Sequence, residues 1–245
     1  MDIHVRSDML APATRNAVLE EYARLAPRYE RRWSFYVGAT SRETRARLHL
    51  SATDSVLDVG CGTGALLYQL SGSYPGAHLG GIDPSPEMLA IARHRLPPGI
   101  ELKQGWAESI PFPDGAFDVV VSCNVLHYIR EPLVALRDML RVVRPKGKLV
   151  ITDWSDDYLA CRICDWYLRH FNSAHFRTYR SRQLTDLLNT AGATDIRTEC
   201  YKITQLWGLM TATARKPCRM WNQPGNDALL RSLSPTYRSH TPLKM

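Results

Sequence analysis

The amino-acid sequence predicts an α/β fold built on a doubly wound parallel sheet, and three observations favour that class. An apolar run, Val56–Val59, leads directly into three glycines at alternating positions. A second apolar segment, His78–Asp83, ends in an acid. Segments typical of strands and of helices then alternate along the chain. Such alternation favours parallel strands joined by right-handed helical crossovers.

The first two strands are each followed by a predicted helix. Val56–Val59 leads through the glycines into the first helix, and His78–Asp83 leads into the second. Ser85 is a good N-cap for that second helix, Pro86 suits its first position, and Glu87 favours its positive end.

The later elements extend the alternation and finish in a hairpin. Residues 144–147, which include a proline and a glycine, are expected to stop a helix before the fifth strand begins. The expected elements are a leading helix at Arg15–Leu25, strands at Ile100–Gln104, Phe117–Ser122 and Leu149–Thr152, helices at Pro132–Val143, about 156–171 and 181–191, and a hairpin of Thr194–Tyr201 with Gln205–Ala214.

The glycines at positions 60, 62 and 64 indicate a place where a ligand approaches the backbone, because glycine allows unusual angles and carries no Cβ. With Ala65 they also satisfy the G-x-G-x-x-A pattern of dinucleotide enzymes, so they do not decide the cofactor alone. Asp58 separates the two cases. A carboxylate two residues before Gly60 would repel a pyrophosphate, whereas a cofactor with a cationic amine and sulfonium would tolerate or welcome it. The sequence therefore favours S-adenosyl-L-methionine over NAD.

The acid at the end of the second strand, Asp83, lies just over twenty residues beyond Gly60. A carboxylate there can accept hydrogen bonds from both ribose hydroxyls of an adenosine. The alternative is that Asp83 only caps the helix that follows. The spacing to the glycine turn favours the adenosine.

Five ordered stretches carry a more specific pattern than the glycines alone. They are Val56–Ala65, Gly81–Ser85, Gln104–Val121, Asn124–Ile129 and Leu140–Leu149. Over roughly residues 50–215 the sequence resembles class I S-adenosylmethionine-dependent methyltransferases, in particular the branch that includes the ubiquinone and menaquinone biosynthesis methyltransferases. The resemblance implies a Rossmann-like, doubly wound sheet of seven strands with helices on both faces and the last strand antiparallel. It also implies a methyl donor bound across the ends of the first, second and fourth strands.

The resemblance also suggests a division of the chain of 245 residues. We expect an N-terminal helical cap at residues 1–50, the S-adenosylmethionine-binding domain at 51–215, and a polar, basic tail at 216–245. Within the domain, residues 154–191 are expected to form a helical insertion that caps the substrate.

The resemblance and the strand ends together predict the cofactor site. The predicted cofactor-binding residues are Tyr29, Asp58, Gly60, Gly62, Gly64, Asp83, Pro84, Met88, Trp106, Ala107, Glu108, Ser122 and Asn124. Trp106 departs from the family, which usually has an acid there, and an indole cannot accept a hydrogen bond. Either the adenine stacks and uses backbone groups near Ala107, or Glu108 makes the polar contact; a purely hydrophobic lid is the third possibility. Tyr29 matches a family tyrosine only loosely and can equally be a packing residue.

Four residues are candidates for catalysis: His127 first, at the end of the fourth strand, and behind it Asp153, His175 and Tyr179. If the acceptor is a hydroxyl or an acidic carbon, a general base would add about 10²–10⁴ in rate. Alignment of the acceptor with the methyl group would supply roughly 7–11 kcal/mol. A lone histidine at this position can equally be a packing residue.

Seven aromatic residues crowd into the segment 154–179, and they suggest a flat or hydrophobic acceptor. They are Trp154, Tyr158, Trp166, Tyr167, Phe171, Phe176 and Tyr179. The alternative is that these rings pack the inserted helices onto the domain.

The charge distribution argues against a nucleic-acid enzyme. The chain carries a net charge of +7, but residues 51–215 hold 17 Lys/Arg and 17 Asp/Glu, so the excess lies in the flanks. A nucleic-acid enzyme usually has a basic face beside its active site. The sequence therefore predicts a methyltransferase for a small molecule. An RNA methyltransferase and a non-catalytic S-adenosylmethionine-binding module are the alternatives.

The remaining sequence features concern metal binding, membrane segments and cellular location. Cys161 and Cys164 lie on one helical face with His170 and His175 following, but the spacing fits no common zinc site, so no metal is expected. The sequence shows neither a secretory signal at its start nor an apolar run of membrane-spanning length. With six cysteines expected to be free thiols, we predict a cytoplasmic protein. The oligomeric state is left open.

Overall fold

The computed structural model describes residues 35–172 and 175–218, together with Asn16, Leu19, Glu20 and Ala23. Those four residues are helical, in agreement with the leading helix predicted around them. The predicted site residue Tyr29 and the tail from residue 219 lie outside the described residues.

The described chain forms a three-layer α/β domain. The strands are β1 (Ser55–Val59), β2 (His78–Asp83), β3 (Glu101–Gln104), β4 (Phe117–Cys123), β5 (Val143–Trp154), β6 (Thr194–Lys202) and β7 (Gly208–Arg215). The helices are α1 (residues 35–48), α2 (Ala65–Ser73), α3 (Pro86–Arg95), α4 (Pro132–Val142), α5 (Leu159–Phe171) and α6 (Ser181–Ala191).

The sheet has the strand order β3-β2-β1-β4-β5-β7-β6. Every neighbouring pair is parallel except the two pairs that involve β7, which runs antiparallel to both β5 and β6. The predicted doubly wound, seven-stranded sheet with an antiparallel last strand is therefore confirmed. The strand order reverses between β1 and β4, where open α/β sheets bind their ligands.

Two apolar clusters cover the two faces of the sheet, because successive side chains of a strand point to opposite faces. On one face Leu57 and Val120 pack with residues of α4 and α6, including Leu136 and Leu188. On the other face Val56, Val119 and Val121 pack with residues of α2 and α3, such as Leu67, Leu70, Leu89 and Ala92. Both faces of the central strands are thus buried, as expected for parallel strands.

The beginning of β5 differs from the prediction. The helix α4 ends at Val142, and the strand continues from Val143 through residues 144–147 instead of starting at Leu149. A register shift between Phe117 and Val119 accommodates the extra residues against β4. The Lys146 amide also donates to the carbonyl oxygen of Lys216 at 2.9 Å. Residues 144–147, which were predicted only to end the helix, therefore form part of the strand.

In the described part of the chain, no helix is both long and apolar enough to cross a membrane.

Candidate cofactor site

A cavity of about 600 Å³ lies at the carboxyl ends of β1, β2 and β4, where the strand order reverses. Its lining combines the glycine turn after β1, the acid that ends β2, the segment around Trp106 and the residues after β4. Three residues of α1 complete one wall: Val37, Thr40 and Ser41.

The glycine turn brings the backbone against this cavity. Gly60, Gly62 and Gly64 all have positive φ angles, of 77°, 53° and 77°. A Cβ on Gly60 would overlap the side chain of Val125, whereas a Cβ on Gly62 would meet nothing within 4 Å. Gly62 therefore leaves its backbone open to a ligand. Gly64 does not line the cavity and instead lies close to Leu96 of the α3 terminus.

Asp83 connects the end of β2 to the glycine turn. Its Oδ2 accepts from the Gly62 amide at 2.9 Å, and its Oδ1 accepts from the Ser85 amide at 2.9 Å. Burial raises the pKa of Asp83 to about 6, although these two backbone hydrogen bonds lower it. A carboxylate offers about four lone-pair positions, so it retains room for two hydroxyl donors from a ligand. As predicted, Ser85 caps α3, accepting from the Met88 amide, and Pro86 is its first residue.

Asp58 is a buried carboxylate that faces the same cavity. Its side-chain Oδ1 finds no hydrogen-bond partner among the described residues, and the residue is 2% exposed. Burial, with the nearby charge of Asp83 as a second cause, raises the pKa of Asp58 to about 7. A buried polar atom without a partner is costly, so its retention at a cavity wall indicates a position for a ligand group. A cationic group would satisfy it.

A polar contact from α1 closes the cavity on the side of β4. Asn124, in a left-handed conformation with φ 61°, lines the cavity directly after β4. Its Oδ1 accepts from the Tyr36 hydroxyl at 2.6 Å, and its Nδ2 donates to Thr40 Oγ1 at 3.0 Å. The Tyr36 hydroxyl also accepts from the indole nitrogen of Trp154. Sequence reasoning missed Tyr36, although its four-residue spacing to Thr40 and Thr44 marks one polar face of a helix.

The segment after β3 forms the opposite wall. Trp106, Ala107 and Glu108 all line the cavity, so both predicted modes of adenine contact remain open to this chain. The segment is held from behind by α4, because the Ile110 amide donates to Asp138 Oδ2 at 2.6 Å. This hydrogen bond ties the segment to α4.

Comparisons with known proteins agree with this geometry. Residues 57–151 match the family model of a methyltransferase domain. A demethylmenaquinone methyltransferase of Thermus thermophilus is 37% identical over 142 residues, which cover 54% of this chain and 64% of that protein. A 2-methyl-6-phytyl-1,4-hydroquinone methyltransferase of a Synechocystis species is 39% identical over 103 residues, 41% of this chain and 32% of that protein. The chain thus matches less than two thirds of either relative.

A comparison with solved structures agrees on the fold. The structure of human N-acetylserotonin methyltransferase in complex with S-adenosylmethionine superposes with a TM-score of 0.64 at 20% identity, over 81% of this chain and 56% of that one. Over residues 57–151 the chain matches the methyltransferase-domain family, and it has the Rossmann-like fold of class I S-adenosylmethionine-dependent methyltransferases. The cofactor of this family is S-adenosylmethionine, and the residues present here fit it: an unpartnered carboxylate for a cationic group, and Asp83 for a pair of hydroxyls.

Most of the predicted cofactor residues meet at this one cavity. Those that line it are Asp58, Gly60, Gly62, Asp83, Pro84, Met88, Trp106, Ala107, Glu108 and Asn124. Ser122 lies at the end of β4, but its hydroxyl donates to the Val59 carbonyl at 2.9 Å and the residue is buried outside the cavity lining. With Gly64, it supports the site from behind.

The four predicted catalytic residues are also brought together, but in a buried cluster behind the cavity. His127 Nδ1 lies 2.7 Å from Asp153 Oδ1, and the His127 amide donates to Asp153 Oδ2 at 3.1 Å. The His127 ring stacks on Trp154 and lies 5.4 Å from the ring of His175. Burial raises the pKa of the Tyr179 hydroxyl to about 12. Among the described lining residues, none of His127, Asp153, His175 and Tyr179 appears; Tyr128 and Ile129 lie there instead.

A second carboxylate, Asp165 of α5, organises the far side of this cluster. Its Oδ1 accepts from the Thr178 amide at 2.7 Å and lies 2.9 Å from His175 Nε2. Its Oδ2 accepts from Arg169. Burial raises the pKa of Asp165, but these hydrogen bonds outweigh it and hold the value at about 2. In the described ranges, no group of three or more His, Cys, Asp or Glu side chains is placed to hold a metal ion.

Proposed function

We propose that this protein transfers a methyl group from S-adenosylmethionine to a small aromatic or hydrophobic acceptor. The observation that carries the proposal is the buried, unpartnered carboxylate of Asp58, which faces a cavity that also holds Asp83 and the open backbone at Gly62. A dinucleotide would bring a pyrophosphate toward that carboxylate, whereas a methyl sulfonium with its amine brings positive charge.

The described residues would divide the work of holding the cofactor. Asp83 accepts from the ribose hydroxyls, Trp106 covers the adenine, and Asp58 faces the cationic end. When bound, S-adenosylmethionine supplies a methyl group that is already activated. The protein therefore needs chiefly to align an acceptor and to exclude water, and alignment of this kind supplies roughly 7–11 kcal/mol.

A hydroquinone ring is the acceptor class that we favour. The relatives named above act, by name, on demethylmenaquinone and on a 1,4-hydroquinone. The cavity lining also includes Val37, Tyr128 and Ile129, which suit a flat apolar ring. These observations support a ring acceptor and leave its substituents open.

His127 is proposed as a positioning residue instead of a base that touches the acceptor. Its carbonyl accepts from the amides of Phe176 and Arg177 at 2.9 and 3.0 Å, while its ring is held by Asp153. The next residue along the chain, Tyr128, lines the cavity. A fixed His127 therefore fixes the wall that would face the acceptor.

Calorimetry with S-adenosylmethionine, S-adenosylhomocysteine and NAD tests the cofactor. We expect micromolar affinity for the first two ligands and little for NAD. Asp83→Ala should weaken binding by about 1–3 kcal/mol, the range for hydrogen bonds to a charged group. Asp186→Ala, at an exposed site on α6, is the matched control and should bind normally. An unchanged affinity in folded Asp83→Ala, or tighter binding of NAD, would overturn the assignment.

Methyl incorporation from labelled cofactor tests the acceptor. The chain is incubated with a hydroquinone that bears an apolar side chain and, separately, with bulk RNA. The flanks carry the excess of positive charge, so an RNA acceptor is the second candidate. Label in the hydroquinone supports the proposal, label in RNA replaces it, and cofactor binding without label in either acceptor counts against both.

A further inference from the structure

The helix α5 turns its apolar side chains toward solvent. Nine large hydrophobic residues are strongly exposed in the described part of the chain, and five of them lie on this helix. They are Leu159, Ile163, Trp166, Tyr167 and Phe171, each between 54% and 70% exposed. We call these five residues the α5 face.

The spacing of the α5 face is that of one side of a helix. Counted from Leu159, the five residues occupy positions i, i+4, i+7, i+8 and i+12. These positions share one side of a helix of 3.6 residues per turn. The opposite side is buried and partly polar, through Cys161 and Asp165. The helix α6 shows the usual arrangement instead, because its Leu184 and Leu188 are buried against the sheet. Among the described residues, packing onto the domain therefore does not account for the apolar residues of α5.

Basic side chains accompany the α5 face. Residues 156–180 contain four arginines and three acids, and one of the acids, Asp165, is buried and paired with Arg169. Arg162 and Arg169 lie on α5 itself with side chains 53% and 51% exposed. Asp156 offsets this charge in part, lying 4.0 Å from Arg162 and 3.3 Å from Arg180. With histidines neutral, residues 156–180 carry a net charge of +1.

We propose that the α5 face docks the protein onto an anionic lipid surface. An interfacial helix combines large apolar and aromatic residues on one side with arginine or lysine beside them, and α5 has this composition. Tryptophan and tyrosine favour the depth of the lipid headgroups, where a ring and a polar tip are both accommodated. A second copy of the chain suits the face less well, because docking α5 against itself would bring Arg162 and Arg169 near their own copies. The proposal does not depend on the proposed methyl transfer.

The test is cosedimentation of the full chain with lipid vesicles. Vesicles of phosphatidylcholine mixed with phosphatidylglycerol are compared with vesicles of phosphatidylcholine alone. We expect binding to the mixed vesicles that weakens as salt is raised, because headgroup charge is screened. The double variant Ile163→Glu with Trp166→Glu should bind at least about tenfold more weakly.

A matched control and a second measurement keep the test decisive. Tyr68→Glu replaces a ring that is 56% exposed on α2, away from the face, and should bind vesicles as the unaltered chain does. Melting temperature and S-adenosylmethionine affinity should stay unchanged in both variants, since the replaced residues are exposed. Equal binding to neutral and mixed vesicles, or normal binding by the double variant, would overturn the proposal. So would a dimer in sedimentation analysis that the double variant dissociates, with no binding to vesicles.

Discussion

Two buried carboxylates, Asp58 and Asp165, differ in whether their oxygens have hydrogen-bond partners. Asp58 faces the cavity with an oxygen that has no partner among described residues, and its pKa is raised to about 7. Asp165 lies behind the wall, surrounded by donors from His175, Thr178 and Arg169, and its pKa is lowered to about 2. Both residues are almost fully buried. We propose that Asp58 binds a ligand, whereas Asp165 stabilises the protein through the groups that donate to it.

The contrast extends to the histidines. His127 and His175 each lie beside a carboxylate in the structure, and such pairs often carry out acid–base chemistry. We propose that the two pairs fix a segment, since His127 also accepts two backbone amides through its carbonyl. Both carboxylates of this cluster accept hydrogen bonds from neighbouring groups, whereas His175 Nδ1 has no hydrogen-bond partner among the described residues.

The largest effect should come from removing the saturated carboxylate. Asp165→Ala leaves His175, the Thr178 amide and Arg169 without their acceptor in a buried place. We expect the free energy of unfolding to fall by about 3–5 kcal/mol, as for a broken buried pair. Urea denaturation measures it, and the folded fraction should still bind S-adenosylmethionine normally. A loss below about 1 kcal/mol would contradict the structural role of Asp165.

The affinity for S-adenosylmethionine should depend on pH through the ionisation of Asp58. The pKa of Asp58 is near 7, so the free protein is largely protonated there at pH 6 and ionised at pH 8, and a cationic ligand prefers the ionised form. Affinity for S-adenosylmethionine should therefore fall about tenfold from pH 8 to pH 6. Asp83, with a pKa near 6, adds to the decline at the acid end. Calorimetry at the two pH values measures the change.

Asp58→Asn is the control for this pH dependence. It should bind S-adenosylmethionine weakly at both pH values and lose most of the dependence. The raised pKa also means that the folded state holds a proton more tightly than the unfolded state, so Asp58 weakens folding as pH rises from about 4 to 7. Asp58→Asn should remove that penalty and gain stability at pH 8, on the order of 4 kcal/mol for a shift of about three pKa units. A full pH dependence retained in Asp58→Asn would assign the titration to another group.

The smallest effect should come from the α1 wall. Tyr36→Phe removes the hydroxyl that contacts Asn124 and Trp154 while retaining the ring. We expect a loss of about 1 kcal/mol in stability, the range for a single hydrogen bond, and a slight decrease in cofactor affinity. Thermal melts and calorimetry beside Tyr68→Phe, at an exposed site, measure both. No difference between the two variants would show that the contact contributes nothing to the wall.

The sequence predicted those parts of the fold and site that local rules determine. The glycine turn, Asp83 at the end of β2, and the limits of α6 before the left-handed Gly192 all follow from neighbouring residues. The extra length of β5 was missed, because backbone bonds to the remote β7 end decide it. The outward direction of α5 was also beyond prediction, since a periodic pattern shows that a helix has two sides without showing which one meets the sheet.

The hydrogen-bond partners of buried polar atoms were the least predictable feature of the structure. Asp58 and Asp165 are both carboxylates within apolar surroundings in sequence, yet their partners are set by residues that the fold brings from elsewhere. The predicted role of Asp58 rests on the glycines, which place a ligand next to it, and the structure shows that Asp58 lines the same cavity. No comparable marker stands beside Asp165.

The contacts of Tyr36 also determine when the cofactor-site wall can form during synthesis of the chain. Its hydroxyl contacts Asn124 and Trp154, which follow it by 88 and 118 residues. At a synthesis rate of 5–20 residues per second, roughly 6–24 s pass between the appearance of Tyr36 and that of Trp154. The nascent chain must therefore keep the polar face of α1 in water during that interval. The ligand-binding wall can close only after the fifth strand has emerged.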